Sequence, residues 1–151
     1  MGDETSYDAQ NAFARILRGE LPSLKIYEDE ATLAIMDIMP QADGHVLVIP
    51  KEAAVEIFAL SPDAACACIR TTQKVAAAVK AALDAPGIMI AQFNGSAAGQ
   101  TVPHVHFHII PRRQAEPLRM HGRIPADPVH LREIAARIVA ALEAGAARSL
   151  S

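Results

Sequence analysis

Residues 104–111 read His-Val-His-Phe-His-Ile-Ile-Pro. Successive side chains of a β-strand point to opposite faces. The alternation predicts a strand over residues 104–110 with His104, His106 and His108 on one face, neighbours about 6–7 Å apart. Val105, Phe107 and Ile109 then fill the other face. The apolar set accounts for the strand. Strand formation does not ask for three of the chain's six histidines on one face, so the segment signals chemistry.

A chain of 151 residues with 51 % hydrophobic side chains suits one domain with a proper core. The domain is expected to span 1–151, with a core over 8–113 and a C-terminal loop and helix over 114–151. A net charge of −3, 4 % aromatics and no Trp argue against a nucleic-acid polymer as partner. A single nucleotide needs only a local site. Residues 1–8 are polar and acidic, unlike a signal peptide, and no apolar run reaches membrane-spanning length. A cytoplasmic protein without a membrane partner is expected. Cys66 and Cys68 lie two apart in a predicted helix, point to different sides and are expected to stay thiols.

Asp8 is the expected cap of a first helix with Ala12, Phe13, Ile16 and Leu17 on one face, ended by Gly19. Residues 24–27, 32–36 and 44–49 read as strands, with a loop over 37–43 that carries Asp37 and Asp43. Ser61-Pro62-Asp63 starts a helix strongly, with a capping hydroxyl, Pro at N1 and an acid in the first turn. That helix should run to Leu83, with Ala65, Ile69, Val75, Val79 and Leu83 inward. Pro86-Gly87 stops it. Residues 88–93 and 104–110 complete the strands. Residues 111–126, with Pro111, Pro117 and Pro125, read as a loop. Asp127-Pro128 opens a last helix with Leu131, Ile134, Ile138 and Leu142 on one stripe. This order predicts an α+β fold: an antiparallel sheet of about five strands with packed helices, a long central helix and a C-terminal helix.

Imidazole is suited to act as nucleophile, base or acid near neutral pH. Its neutral nitrogen attacks phosphorus, and flanking imidazoles can hydrogen-bond phosphate oxygens. Residues 94–101, Asn-Gly-Ser-Ala-Ala-Gly-Gln-Thr, feed into the histidine strand, and small residues there let backbone N–H groups approach an anion. Together these point to phosphate chemistry. The rival is a metal site, because His-x-His supplies two imidazole ligands, with His45, Asp37, Asp43 and Glu116 as candidates for the rest. Three histidines merely packed on an edge strand fit the strict alternation poorly.

The motif His104-Val105-His106-Phe107-His108-Ile109-Ile110 resembles the signature of the histidine triad (HIT) family. Four further stretches match in order and spacing. They are Phe13-Ala14-Arg15-Ile16-Leu17-Arg18-Gly19-Glu20-Leu21-Pro22, Met36-Asp37-Ile38-Met39-Pro40-Gln41-Ala42, Gly44-His45-Val46-Leu47-Val48-Ile49-Pro50-Lys51 and Ala98-Gly99-Gln100-Thr101-Val102-Pro103. The likeness covers about residues 11–113 and is closest to the nucleoside phosphoramidase-like branch with bacterial relatives.

The resemblance implies the HIT-like fold and a nucleotide-binding hydrolase or nucleotidyl transferase that attacks the α-phosphate of a purine nucleoside phosphoramidate or related nucleotide. It implies His106 as nucleophile, forming a nucleotidyl-histidine, His108 at the phosphate and bridging atom, and His104 in support with His45. Asp37 would accept hydrogen bonds from the ribose hydroxyls. Phe13, Ile16, Ile35 and Ile38 would wall the base pocket, and Gly99, Gln100 and Thr101 would hold the phosphate. Each has a plainer alternative: the apolar four as core, Asp37 as a loop cap, His45 as a structural histidine, Thr101 as a turn residue. Relatives often place an amide eleven residues before the first triad histidine. Here that position is Phe93, and Asn94 is the available substitute.

Relatives with a Cys-x-x-Cys zinc site near the first helix correspond here to Asn11-Ala12-Phe13-Ala14, so no structural zinc and no cofactor are expected. His121 and His130 are expected at the surface. Arg112 and Arg113 are expected to be solvated, or else to meet a polyphosphate tail. The family implies a homodimer. The alternatives are a dinucleoside polyphosphate hydrolase, a nucleotide-sensing module with residual activity, and a metal-dependent protein.

Overall fold

A computed structural model describes residues 6–120 and 124–149. His121 lies outside the described residues. Helix α1 (Ala12–Leu17) precedes strands β1 (Lys25–Glu28), β2 (Thr32–Met36) and β3 (Val46–Pro50). Helix α2 (Pro62–Leu83), strands β4 (Gly87–Gln92) and β5 (Phe107–Arg112) and helix α3 (Pro128–Ser149) follow, with short 3-10 turns at Ile57–Ala59 and Ser96–Ala98. The strands form one sheet in the order β1-β2-β3-β5-β4, every neighbouring pair antiparallel. The expected α+β architecture is what the chain adopts.

The sheet is covered on both faces, which explains why β2 and β3 read as unbroken apolar runs. Ala34, Met36, Val46 and Val48 face α2 and α3 together with Val105, Phe107 and Ile109. Leu33, Ile35, Leu47 and Ile49 face the other way and pack with Phe13 of α1. Leu47 is the register partner of His108, so His108 shares the α1 face.

Helix α2 has the bounds expected of it. Ser61 Oγ accepts from the Ala64 N–H and Pro62 is its first residue. Its inward stripe is Cys68, Thr71, Thr72, Val75 and Val79, spaced by three, four and seven as one helical face requires. Ile69 falls off that stripe and is 54 % exposed, a correction to its expected inward place. Cys66 is exposed, Cys68 buried, and both are free thiols. Burial pushes the Cys68 thiol up to about 12, so it packs as a small apolar group.

The cap of α1 is Asn11, whose Oδ1 accepts from the Ala14 N–H, and not Asp8. Asp8 closes the preceding turn instead, its carboxylate accepting from Gln10 and its carbonyl from Asn11. Phe13 and Ala14 are the buried pair of α1, while Ala12 is exposed. β3 begins at Val46 and not Gly44, because Gly44 has φ +90 and the His45 N–H turns back to the Ala42 carbonyl. β5 begins at Phe107, later than expected. Before it, the Val105 N–H bonds the Ala54 carbonyl and the His104 side chain takes the Pro50 carbonyl, so no ladder continues there.

Arg113 is not free for a polyphosphate. Its guanidinium donates to the Leu83 and Asp84 carbonyls at the end of α2, where Asp84 adopts a left-handed conformation, as cations at helix C-termini do. Arg112 donates to the Glu116 carbonyl. Among the described residues no helix is long and apolar enough to cross a membrane.

Candidate active site

Antiparallel pairing of β3 with β5 sets His45, just before β3, beside His108. The backbone then decides which ring nitrogen of each histidine carries its proton. A peptide N–H can only donate, and the Gln41 N–H points at His45 Nδ1, 3.1 Å away. His45 therefore holds its proton on Nε2 and donates it to His108 Nδ1 at 2.9 Å. His108 Nδ1 is thus an acceptor, and its proton sits on Nε2. A carbonyl can only accept. His106 Nδ1 lies 2.7 Å from the His104 carbonyl and must donate, which leaves His106 Nε2 with the lone pair. His104 Nε2 donates to the Pro50 carbonyl at 2.8 Å, and its Nδ1 accepts from the Tyr7 hydroxyl at 2.7 Å.

All four rings are buried. The His106 and His108 ring centroids are 4.9 Å apart, so a lone pair and an N–H donor stand side by side on one face. His104 and His106 lie outside the ladder, yet the alternation holds: Val105 and Phe107 go to the opposite core. Burial holds His104 below its ordinary 6.5, with the Pro50 hydrogen bond acting in the other direction. Above about 6.5 both folded and unfolded chains keep His104 neutral, and it has no effect on stability. Below that, the unfolded chain takes a proton that the fold resists. Unfolding by urea should therefore become easier as pH falls from about 7 to about 5, with a shallower dependence in His104→Asn. Equal slopes in the two proteins would refute this origin.

Asp37 ends the β2 side of the site, 9 % exposed. Its Oδ1 accepts from the Met39 N–H at 2.9 Å, and its Oδ2 lies 3.6 Å from His45 Nε2. Phe13, Ile16 and Ile35 come together, and the Phe13 ring meets the His106 ring edge-on at 4.9 Å. Ile38 does not join them and is 57 % exposed.

The 94–101 loop is built differently from the cradle expected of it. Gln100 is buried, and its amide donates to the Val55 and Val102 carbonyls while accepting from the Gly95 N–H. The N–H groups of Ala98, Gly99 and Gln100 bond carbonyls inside the loop. Thr101 is exposed. Asn94 spends its amide on Gln92 and the Ile57 N–H, and it is the Phe93 ring that stands against His108, at 5.1 Å. The contacts of Tyr7 with His104 and of Gln41 with His45 have no signal in the sequence. Tyr7 lies in a stretch legible only as polar. Gln41 lies within the 36–42 motif, but its part is played by its backbone.

Ligand atoms of Asp37, His45 and His108 lie within 4.8 Å of one another, so spacing admits a divalent cation. The surroundings point the other way. A ligating imidazole gives its second N–H to an acceptor. Here the second nitrogen of His45 is itself the acceptor, and Nε2 keeps its proton. Asp43 and Glu116 do not join the group. Asp43 pairs with Arg119 and His130, and Glu116 is exposed.

A family model described as HIT domain matches residues 18–115. An adenosine 5′-monophosphoramidase of Schizosaccharomyces pombe is 42 % identical over 104 residues, 69 % of this chain and 75 % of that protein. The crystal structure of a HIT-like protein from Bartonella henselae superposes with a TM-score of 0.84 at 44 % identity, covering 90 % of this chain and 98 % of that one. A zinc-bound histidine triad family protein from Mycobacterium smegmatis gives 0.81 at 35 % identity, covering 92 % and 97 %.

Proposed function

The chain belongs to the histidine triad (HIT) family, and from that membership we propose a nucleotide hydrolase acting at the α-phosphate of a purine nucleoside phosphoramidate. The observation that carries this reading is the hydrogen-bond pattern of the histidines, from which the proton positions follow. His106 spends Nδ1–H on the His104 carbonyl and keeps an Nε2 lone pair, while the relay from Gln41 through His45 leaves His108 with an Nε2–H. A nucleophile and a hydrogen-bond donor result, 4.9 Å apart between ring centroids.

In the proposed reaction His106 Nε2 bonds to the α-phosphorus as the P–N bond to the amine breaks. The amine leaves with a proton drawn from solvent while His108 Nε2–H holds the bridging atom. The His104 carbonyl favours the positive charge that the substituted imidazole acquires. Water then cleaves the Nε2–P bond, releasing nucleoside monophosphate, restoring the lone pair and returning a proton to solvent. Asp37 takes the ribose hydroxyls, and Phe13, Ile16 and Ile35 take the base. His104 and His45 act through His106 and His108.

Two features favour a small amine over a polyphosphate as leaving group. Phe93 makes one side of His108 apolar, and Arg112 and Arg113 are bonded to backbone carbonyls. The test is release of adenosine monophosphate from adenosine 5′-phosphoramidate, with and without a chelator, beside a diadenosine polyphosphate. Chelator-resistant turnover that prefers the phosphoramidate is expected, with a nucleotidyl adduct in alkaline-quenched mass spectra. Chelator-sensitive turnover with stoichiometric metal, or nucleotide binding without turnover, would overturn the reading.

A further inference from the structure

The chain leaving β5 folds back over the site's own loop. Past Arg112 it has no helix or strand among its described residues until α3, yet it crosses the 37–44 loop at two points. The Arg119 N–H donates to the Gln41 carbonyl at 2.8 Å, and the Ala126 N–H donates to the Ile38 carbonyl at 2.9 Å. Gln41 Nε2 reaches the Arg119 carbonyl at 3.5 Å. Asp43 closes the crossing. Its Oδ1 accepts from the Arg119 guanidinium and its Oδ2 pairs with His130 Nε2, both at 2.9 Å. His130 lies in the first turn of α3, so one carboxylate ties together the loop, the returning chain and a helix.

The same loop faces the histidines from within. Gln41 presents its carbonyl outward to Arg119 and its N–H inward to His45 Nδ1. The Asp37 N–H donates to the His45 carbonyl at 3.0 Å. Hydrogen bonds therefore run without a gap from Arg119 through Gln41 and His45 to His108. Displacing the loop removes the donor that keeps the His45 proton on Nε2, and with it the reason for His108 to hold an Nε2–H.

We propose that Asp43 is a positioning residue, whose grip on Arg119 and His130 clamps the returning chain onto the 37–44 loop and so orients His45 and Asp37 behind the triad. The kinetic part rests on the hydrolase reading above. The effect on the His45 ring does not. The three side chains are about half exposed, and pairs of that kind add little to global stability. The clamp is therefore to be read at the site and not in the melting temperature.

The test compares the whole wild-type chain with Asp43→Asn, which keeps the shape and removes the charge. Long-range proton–nitrogen spectra report which ring nitrogens carry protons. Wild type should show His45 protonated on Nε2 alone. In Asp43→Asn the His45 signals should shift or divide between two tautomers, and KM for adenosine 5′-phosphoramidate should rise about five- to tenfold with a small change in melting temperature. His130→Gln should move the same readouts in the same direction. A variant with the His45 spectrum and KM of wild type, whatever its melting temperature, overturns the clamp. A wild type that turns nothing over overturns the hydrolase reading alone, because the ring spectrum still reports the clamp.

Discussion

His106→Gln is expected to lower kcat on adenosine 5′-phosphoramidate by about ten-thousand-fold or more, roughly 5 kcal/mol of transition-state stabilisation. Affinity for adenosine monophosphate should stay within about threefold, because His106 acts on the reacting phosphorus and not on the base or ribose. Glutamine keeps a polar side chain of similar reach, but its amide is no nucleophile. The Phe13 ring edge against His106 then keeps a packed neighbour, and the variant should fold. His108→Gln retains an N–H donor and should lose far less, about a hundredfold. The order of the two losses is the informative result. A hundredfold or smaller loss in His106→Gln, with a larger one in His108→Gln, would exchange their roles. Intact-mass spectra add an independent check: the nucleotidyl adduct should vanish in His106→Gln and persist in His108→Gln.

Where local chemistry decides, the sequence is a good guide. Ser61-Pro62-Asp63 at one end and Pro86-Gly87 at the other bound α2, and its observed limits are Pro62–Leu83. Alternation places Val105, Phe107 and Ile109 in the helix-side core and the three histidines opposite. Where a distant segment decides, legibility ends. Nothing near residue 104 says that the Pro50 carbonyl waits across the sheet, so the start of β5 and the tautomer of His104 are both invisible. The Gly-rich loop carries the composition of an anion cradle, yet Gln100, by bonding Gly95, Val55 and Val102, turns it into a closed scaffold. Histidine identity is likewise local, whereas proton placement depends on backbone groups brought in by folding.

Gly44→Ala should destabilise the fold by about 2–3 kcal/mol and lower the melting temperature by roughly 5–10 °C. Two costs add. Gly44 holds φ +90, a conformation in which an L side chain is strained by about 1–2 kcal/mol. A Cβ there also runs into Leu83 Cδ1 and approaches Pro111 Cγ at 3.2 Å, and both of these side chains pack at the junction of α2 with β5. Leu83 also packs on the core, so Leu83→Ala carries a cost of its own. It should nevertheless remove the steric part and leave the backbone part: Gly44→Ala should cost less in the Leu83→Ala background than in wild type. Gly145 is the contrasting site. It lies within α3, and no described residue stands within 4 Å of a Cβ built on it, so Gly145→Ala should gain up to about 1 kcal/mol from helix propensity. Gly44 also leads directly into His45, whose N–H turns back to the Ala42 carbonyl. Turnover should therefore fall in Gly44→Ala even at temperatures where the variant is fully folded, and Gly145→Ala should keep wild-type turnover. Thermal melts and initial rates on the same samples decide it: a Gly44→Ala protein as stable and as active as wild type would mean that neither the positive φ nor the Leu83 contact constrains this turn.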